Sequence, residues 1–584
     1  MDSMQTKNIS KRWNIHFSNE KNIKNLVQKL SISPLIATLL TNRGINNPKE
    51  AKTFLEGDIN DLHDPYLLKD MKKAIKHIKK TITNKEKIML FGDYDVDGIT
   101  GTTILSKIIK LIGGETKYYF PNRLTEGYGL NKGAIDDAKR ENIKLIITVD
   151  CGISANQEIS YAKSKGIDVI VIDHHEQIGS LPKAIAVIDP KQKGCNYPYK
   201  ELAAVGVAFK VAQALIGEYG LDFDEFSLLD MVCLGTVADI MPLNGENRIL
   251  VKNGLKQLMK TKNIGLRALI KVSDLEEKEI SPGHISFRLG PKINASGRLD
   301  SADKVARLFQ TDSEDEAASI AQELHEQNIN RQNIQQKVLD EAILKIKEEI
   351  NLDKDICIVL AKEGWHKGVI GIVASKIVEI YHRPTILISI DKDIGSGSGR
   401  SILNFHLLEA IDSCKKLFVN YGGHRQAAGF KINKENIEKL RNEINKYAKA
   451  KITREDLIPK INIDAELKIS QVSLNLINEI NKLLPFGIGN PKPTFCSVNL
   501  SLEDHPRILK EKHIKMKLSD HITTMETIGF SMVHFYDKVV ENTGQIHVVY
   551  FPELNEWMDN KTLTLNLKDM KFGDDDGIAC ESLP

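Results

Sequence analysis

At 584 residues the chain exceeds what one hydrophobic core supports, so three or four domains are expected. Hydrophobic residues at 41% and charged residues at 27% fit a soluble globular protein. Eighty Lys+Arg against 78 Asp+Glu leave +2, so bulk charge decides nothing about a nucleic-acid partner, and any basic groove must be local.

The seven cysteines (Cys151, Cys195, Cys233, Cys357, Cys414, Cys496 and Cys580) are odd in number, widely spaced and free of CxxC. That argues against a disulfide framework or zinc knuckle and for a reducing cytosol. The opening MDSMQTKNISKRWN has no apolar core, so no signal peptide is expected. Apolar runs such as KLIITV and DVIVI have strand length, far short of a membrane span.

In chain order, residues 1–85 read as a helical leader: NLVQKL, SPLIATLL and MKKAIKHIKK have helical spacing, broken by RGINNP and LHDPYLL. From residue 86 strands alternate with helices. Lys87–Phe91 is a strand leading to Asp93, followed by a helix over 99–112 and a strand over Lys117–Phe120. Leu145–Val149 runs into Asp150, Asp168–Ile172 into Asp173 and Ala184–Ile188 into Asp189. Strand followed by Asp, four times over, predicts a doubly wound parallel sheet. Helices are expected over 203–217 and 226–240. Residues 312–350 form one long connecting helix, with Ser313 and Glu316 spaced as a capping box. A second α/β unit follows, with strand CIVLA, helix GVIGIVASKIVEIY, strand TILIS and then glycine-rich loops. From 460, KINIDAELKI, HIKMKL, IHVVYF and TLTLNL alternate with period two, as a small β-barrel does.

The chemistry gathers at strand ends. DYDVDG places Asp93, Asp95 and Asp97 two residues apart before Gly98. Unpaired acids that close repel one another, and a cation relieves them. The run also resembles the start of a calcium loop, but the distal Glu is missing and a strand precedes it. A lone Asp at a strand end is often only a helix cap, which Asp93 and Asp189 could be. VDCG, IDHH, ADIMP and NASGR add Asp150, His174, His175, Asp239 and Arg298. Acids and imidazoles at neighbouring strand ends can share two divalent ions, and the mixed set favours Mn²⁺ over Mg²⁺.

DYDVDG, VDCG, IDHH and VADIMPL, in that order, resemble the four motifs of the DHH phosphoesterase superfamily. The chain resembles more closely its RecJ family of bacterial single-strand-specific 5′→3′ exonucleases. RGINNPKEAKTFL, PNRLTEGYGLN, GWHKGVIGIVASK, GSGSGRS, GGHRQAAG and LLPFGIGNPKPTF extend the likeness over nearly the whole chain. It implies a helical leader (1–85), a DHH domain (86–311), a connecting helix (312–350), a DHH-associated domain (351–452), an OB-like β domain (453–575) and a tail (576–584).

The resemblance also implies roles. Asp95, Asp97, Asp150, His174 and Asp239 would hold two divalent cations, Mn²⁺ or Mg²⁺, with Asp93 and His175 beside them and Asp173 orienting His174. Ser398 and Arg400, with Arg123 and Arg298, would hold the 5′ phosphate, setting which bond lies over the metals so that a mononucleotide leaves each cycle. His424 would contact the scissile phosphate. GSGSG alone reads as a flexible linker; Arg400 and the later Gly422-Gly423-His424 turn the reading toward an anion site. Trp365 reads as packing or as part of a phosphate-binding helix start, and Tyr128 as a base-stacking or a core residue. Lys510, Lys512, His513, Lys515 and Lys517 form a local basic patch that either binds the strand or is simply solvated. The implied setting is recombination and repair in the bacterial cytoplasm, with a RecQ-type helicase and a single-stranded-DNA-binding protein as partners and no membrane. Alternatives are a DHH phosphodiesterase for short oligoribonucleotides or cyclic dinucleotides, a pyrophosphatase and a non-catalytic strand binder.

Overall fold

The computed structural model of the protein describes residues 11–16, 19–122, 126–177, 179–299, 302–557 and 560–573. It forms two compact units. One gathers Phe17–Asn328 with Asp464–Met570; the other comprises the described parts of Met1–His16, Ile329–Ile463 and Lys571–Pro584. Among the described residues no helix is long and apolar enough to cross a membrane.

The leader is mostly helical, as predicted, with helices Glu20–Leu30, Pro34–Asn42, Pro48–Glu56 and Met71–Thr83. The first element among its described residues, however, is a strand, β1 (Arg12–Ile15). The sheet of the first unit contains β2 (Ile88–Gly92), β3 (Thr116–Tyr119), β4 (Leu145–Val149), β5 (Asp168–Ile172) and β6 (Ala186–Ile188). All pairings are parallel and the order is β3-β2-β4-β5-β6. Both faces are covered, which explains the unbroken apolar runs. Ile88 and Leu90 face a cluster containing Ile104, Ile108 and Phe209, whereas Met89 and Phe91 face one containing Ala134, Ile135 and Ile159. The chain leaves β2 toward β3 on one side and β4 on the other. That reversal opens a crevice at the carboxyl ends of β2 and β4, where open α/β sheets bind ligands.

The connecting helix spans Glu314–Glu349. Only half of its expected capping box forms. Ser313 Oγ accepts from the Glu316 N–H at 3.3 Å, but the Glu316 carboxylate turns to Arg307 and Thr311 instead of returning to Ser313.

The second unit carries β7 (Ile358–Glu363), β8 (Thr385–Asp391), β9 (Ile394–Arg400), β10 (Phe418–Gly423) and β11 (Ala427–Asn433), in the order β10-β11-β9-β8-β7. The expected glycine-rich loops are therefore strands. β9 is the central one, antiparallel to β8 and β11, so its backbone groups serve the sheet. Its glycines answer a packing need: a Cβ on Gly397 would stand 2.2 Å from the Phe430 ring. β12 (Lys460–Ile463) pairs in parallel with β1.

Returning to the first unit, β13 (Ala465–Glu466), β14 (Phe495–Leu502), β15 (Arg507–Leu509), β16 (His513–Ser519), β17 (Thr524–Gly529), β18 (Ile546–Trp557) and β19 (Asn560–Phe572) form the predicted β domain. The order β14-β18-β19-β17-β16, with a further β14–β16 pairing, closes a five-stranded ring of OB type.

Candidate metal centre

At the end of β2 the chain turns straight into helix Val96–Leu111. Asp95 caps it, its Oδ1 accepting from the N–H groups of Asp97 (2.9 Å) and Gly98 (3.2 Å). A Cβ on Gly98 would lie 2.5 Å from the Asp93 carbonyl oxygen, so glycine lets the helix start against the strand end. The buried Asp97 carboxylate crosses to helix Ala204–Tyr219 and accepts from its first N–H groups, Ala204 (2.7 Å) and Val205 (2.8 Å).

Asp150 follows β4 in the left-handed region, φ 65°, an uncommon conformation for a non-glycine residue and one that concentrates at functional sites. Asp173, after β5, accepts at Oδ1 from the N–H groups of His174 (2.8 Å) and His175 (3.2 Å), and at Oδ2 from the Ile153 N–H (2.9 Å). Its side-chain partner is His175 Nδ1 at 2.7 Å. Asp173 thus orients the second histidine, whereas the expectation was the first. Asp239 closes helix Leu229–Ala238.

Seven of the expected residues converge: Asp93, Asp95, Asp97, Asp150, His174, His175 and Asp239. His174 Nε2 lies 3.2 Å from Asp150 Oδ1, 3.5 Å from Asp239 Oδ2 and 3.9 Å from Asp97 Oδ2. Three sets each bring their ligand-type atoms within 4.8 Å of one another: Asp93, Asp95 and Asp150; Asp97, His174 and Asp239; and Asp150, His174 and His175. Asp150 and His174 are shared between sets, as residues flanked by two ions would be.

The electrostatics fit a cation. Burial, then the neighbouring His175, hold His174 down at about 3. Burial, then Asp95, push Asp97 up to about 7. Burial, then Asp97 and Asp95, push Asp239 up to about 9. Asp150 is raised well above the usual range, by burial and then by Asp95 and Asp97. For His175 burial is the largest single effect and disfavours the charge, but the hydrogen bond to Asp173 together with the charges of Asp173, Asp239 and Asp97 lifts it to about 9. Burial would also raise Asp173; the His175 hydrogen bond and charge instead keep it below the usual range. Asp150 Oδ1 and His174 Nε2 are buried without a hydrogen-bond partner. Two facing acceptors, amid acids that resist ionisation, form a donor set that a divalent ion satisfies.

A pH dependence follows. An acid whose folded pKa is raised keeps a proton that the unfolded chain releases. Stability is therefore full below the unfolded value near 3.8 and is lost as pH rises through about 7 for Asp97 and about 9 for Asp239. A divalent ion takes the place of those protons. The rise in thermal midpoint on adding Mn²⁺ to chelator-treated protein should be larger at pH 8.5 than at pH 5.5. An equal rise at both pH values would contradict this charge distribution.

The other expected residues divide. Tyr128 is 56% exposed as a residue, yet its hydroxyl donates to the Asp150 carbonyl at 3.0 Å. The ring meets His175 edge-on at 6.1 Å. Arg123 lies outside the described residues, as does the side chain of Arg298. Ser398, Arg400 and His424 belong to the second unit. Ser398 and Arg400 project from one face of β9 onto helix Lys367–Tyr381, where a Cβ on Gly371 would meet them at 2.8 and 3.0 Å. Arg400 Nη1 donates to Ser398 Oγ at 3.3 Å. His424 is exposed in the turn between β10 and β11. One reading changes, and one left open closes. The β9 backbone does not cradle an anion, because its sheet uses those groups. Trp365 is a packing residue, buried, with Nε1 donating to Glu341 at 2.9 Å. Of the basic patch, Lys515 is paired with Glu526 (3.1 Å) and Lys517 with Asp504 (2.9 Å).

Sequence reading missed the supports. Buried Arg248 donates to the carbonyls of Phe54 (2.6 Å), Leu483 (2.9 Å) and Lys482 (3.2 Å), and Arg43 to Asn490 Oδ1 (2.8 Å). Together they fasten segment 482–491, whose Ile488 carbonyl accepts from the Leu243 N–H (2.7 Å) just beyond Asp239. A lone Arg in a helical stretch carries no signal of such burial.

Residues 87–236 match the DHH family, N-terminal domain, 353–450 the DHHA1 domain, and 463–569 the RecJ OB domain. The chain is 40% identical over 561 residues to the single-stranded-DNA-specific exonuclease RecJ of Bacillus subtilis, covering 96% of this chain and 70% of that protein. It superposes with TM-score 0.83 and 27% identity on RecJ of Thermus thermophilus in complex with Mn²⁺, covering 96% of this chain and 80% of that one. The Mg²⁺ complex gives TM-score 0.77 and 26% identity, over 96% and 79%. With DHH, DHHA1 and RecJ OB domains in order and this identity along nearly its full length, the chain belongs to the RecJ family.

Proposed function

We propose that the protein is a 5′→3′ exonuclease specific for single-stranded DNA, releasing 5′-mononucleotides with two divalent cations, Mn²⁺ or Mg²⁺. The observation that carries this is the meeting of five acids and two imidazoles at the switch point of the sheet, with Asp150 and His174 common to neighbouring ligand sets. Asp95, Asp97, Asp150, His174 and Asp239 hold the ions. When bound, such ions polarise the scissile phosphate, ready the attacking water and neutralise the leaving oxygen. Asp93 supports the first set. His175, held by Asp173, presents a charged donor toward the phosphate. The fixed N-cap of Asp95 and the helix-anchored Asp97 keep the acids in place before substrate arrives.

Ser398 and Arg400, with Arg123 and Arg298, bind the strand's 5′ phosphate, and His424 contacts the scissile phosphate. A guanidinium fork beside a hydroxyl suits a terminal phosphate. Arg400→Ala should therefore weaken hydrolysis of 5′-phosphorylated strands roughly tenfold or more, and 5′-hydroxyl strands much less. Equal loss on both ends would place the anchor elsewhere.

The protein works in recombination and repair in the cytoplasm, beside a RecQ-type helicase and a single-stranded-DNA-binding protein. The oligoribonucleotide or cyclic-dinucleotide reading is disfavoured, because the OB domain and leader give the chain a track longer than such substrates need. Digestion of end-labelled single- and double-stranded oligonucleotides with Mn²⁺, Mg²⁺ or chelator tests the whole reading. Stepwise loss from the 5′ end of single strands only, abolished by chelator, is expected. Cutting confined to cyclic dinucleotides or dinucleotides would overturn it.

A further inference from the structure

Beside the metal centre lies an apolar cavity of about 500 Å³, within the size range of small-ligand sites. One wall is the chain around Asp239 itself, with Ile240 and Met241; the other walls bring Phe287, Asn294, Phe486 and Ile488. Ile240 has φ 61°, so the backbone turns it outward, and it is 65% exposed. Ile488 is 54% exposed and Phe287 is 82% exposed. A phenylalanine so open to water at the mouth of a cavity serves no packing purpose in the chain itself.

Its backbone is unusual too. Phe287 sits in the middle of a π-helical stretch, Ile285–Leu289, between helix Pro282–His284 and helix Gly290–Leu299. Such widened turns are rare, unfavourable and frequent at functional sites. Here the stretch places Ile285 and Leu289 in the core and leaves Phe287 outside.

The lining decides the ligand class. Its one charged residue, Lys492, is paired with Glu553 at 3.0 Å and lies over the Phe551 ring at 4.8 Å. The cavity therefore offers no net charge to a phosphate or an acidic peptide. It offers flat apolar surface and the Asn294 amide, which suit a neutral heteroaromatic ring. A strand whose phosphate lies at Asp239 carries such rings on both neighbouring nucleotides.

We propose that this cavity is a nucleobase subsite of the single strand, with Phe287 stacking on the base adjacent to the scissile phosphate. The inference rests on the exonuclease reading above. It assigns Phe287 a substrate-positioning and single-strand-selecting role, because a base still paired in a duplex cannot enter the cavity.

The test pairs protein and substrate changes in the full-length protein with Mn²⁺. A single abasic nucleotide is moved through the first several positions of a 5′-phosphorylated oligonucleotide, and hydrolysis of the adjacent bond is measured. In the wild type one position should raise KM about tenfold, the scale of one base–aromatic stack. Phe287→Ala should raise KM about tenfold on the intact strand, with kcat changed less than about threefold, and should no longer respond to the abasic position. Phe287→Trp should restore both. Since Phe287 is exposed, the variants should keep the wild-type thermal midpoint and Mn²⁺ response. An abasic penalty unchanged in Phe287→Ala, or intact-strand KM unchanged, would overturn the subsite and leave the cavity to some other occupant, such as an apolar segment of a protein. No hydrolysis by the wild type would instead strike at the exonuclease reading.

Discussion

Asp150→Ala should abolish hydrolysis, reducing turnover at least about 10³-fold, while single strands still bind within a few-fold of the wild type. The expectation follows from position. Asp150 groups with Asp93 and Asp95 on one side and on the other lies 3.2 Å from Nε2 of His174, which groups with Asp97 and Asp239. Its removal takes a ligand from both proposed ion positions at once, whereas Asp95 or Asp239 serves only one. The same change removes a buried acid that resists ionisation without a metal. The variant should thus be at least as stable as chelator-treated wild type at pH 8.5, and should lose most of the Mn²⁺-induced rise in thermal midpoint. Near-normal turnover would refute the ligand assignment, and a collapsed thermal midpoint without metal would refute the electrostatic account.

Asp173→Asn is the second large effect, with a roughly 10–100-fold fall in kcat/KM, the range seen when a residue orienting a metal-site histidine is lost. The asparagine keeps an oxygen for the His174 and His175 N–H groups. Its NH₂ group must then face the Ile153 N–H, donor against donor, at a cost of about 1–3 kcal/mol. His175 also loses the anion that lifts it to about 9. In the wild type the imidazolium persists below about 9, so activity that depends on it declines as pH rises through that value. In Asp173→Asn that decline should move to lower pH. A variant merely destabilised, with its pH profile in place, would reduce Asp173 to a structural part.

The convergence of the acids and imidazoles was legible because most of these residues sit where a simple rule puts them. Apolar runs of strand length each end in an acid, and a parallel sheet aligns all its carboxyl ends. Asp93, Asp150, Asp173 and Asp189 therefore had to share one edge once the strands were in register. Second partners were not legible. Whether Asp173 served His174 or His175 turns on local backbone angles, and the sequence signal is identical for both. GSGSGRS misled for a different reason. Glycine weakens a strand by intrinsic preference, but the Phe430 ring and the Leu407 side chain lie so close to β9 that only bare backbone fits. The capping box failed because Arg307 and Thr311 offered Glu316 better partners. Arg248 and Phe287 were invisible, since burial of one and exposure of the other are tertiary facts.

One cage of acids and imidazoles is proposed to hold two neighbouring cations. Electron paramagnetic resonance of the chelator-treated protein titrated with Mn²⁺ addresses it directly. Two ions per chain with the broadened signal of a magnetically coupled pair, about 3.5–4 Å apart, are expected, with the coupling lost in Asp150→Ala. A simple six-line spectrum of isolated Mn²⁺ at saturation, unchanged by that substitution, would contradict it.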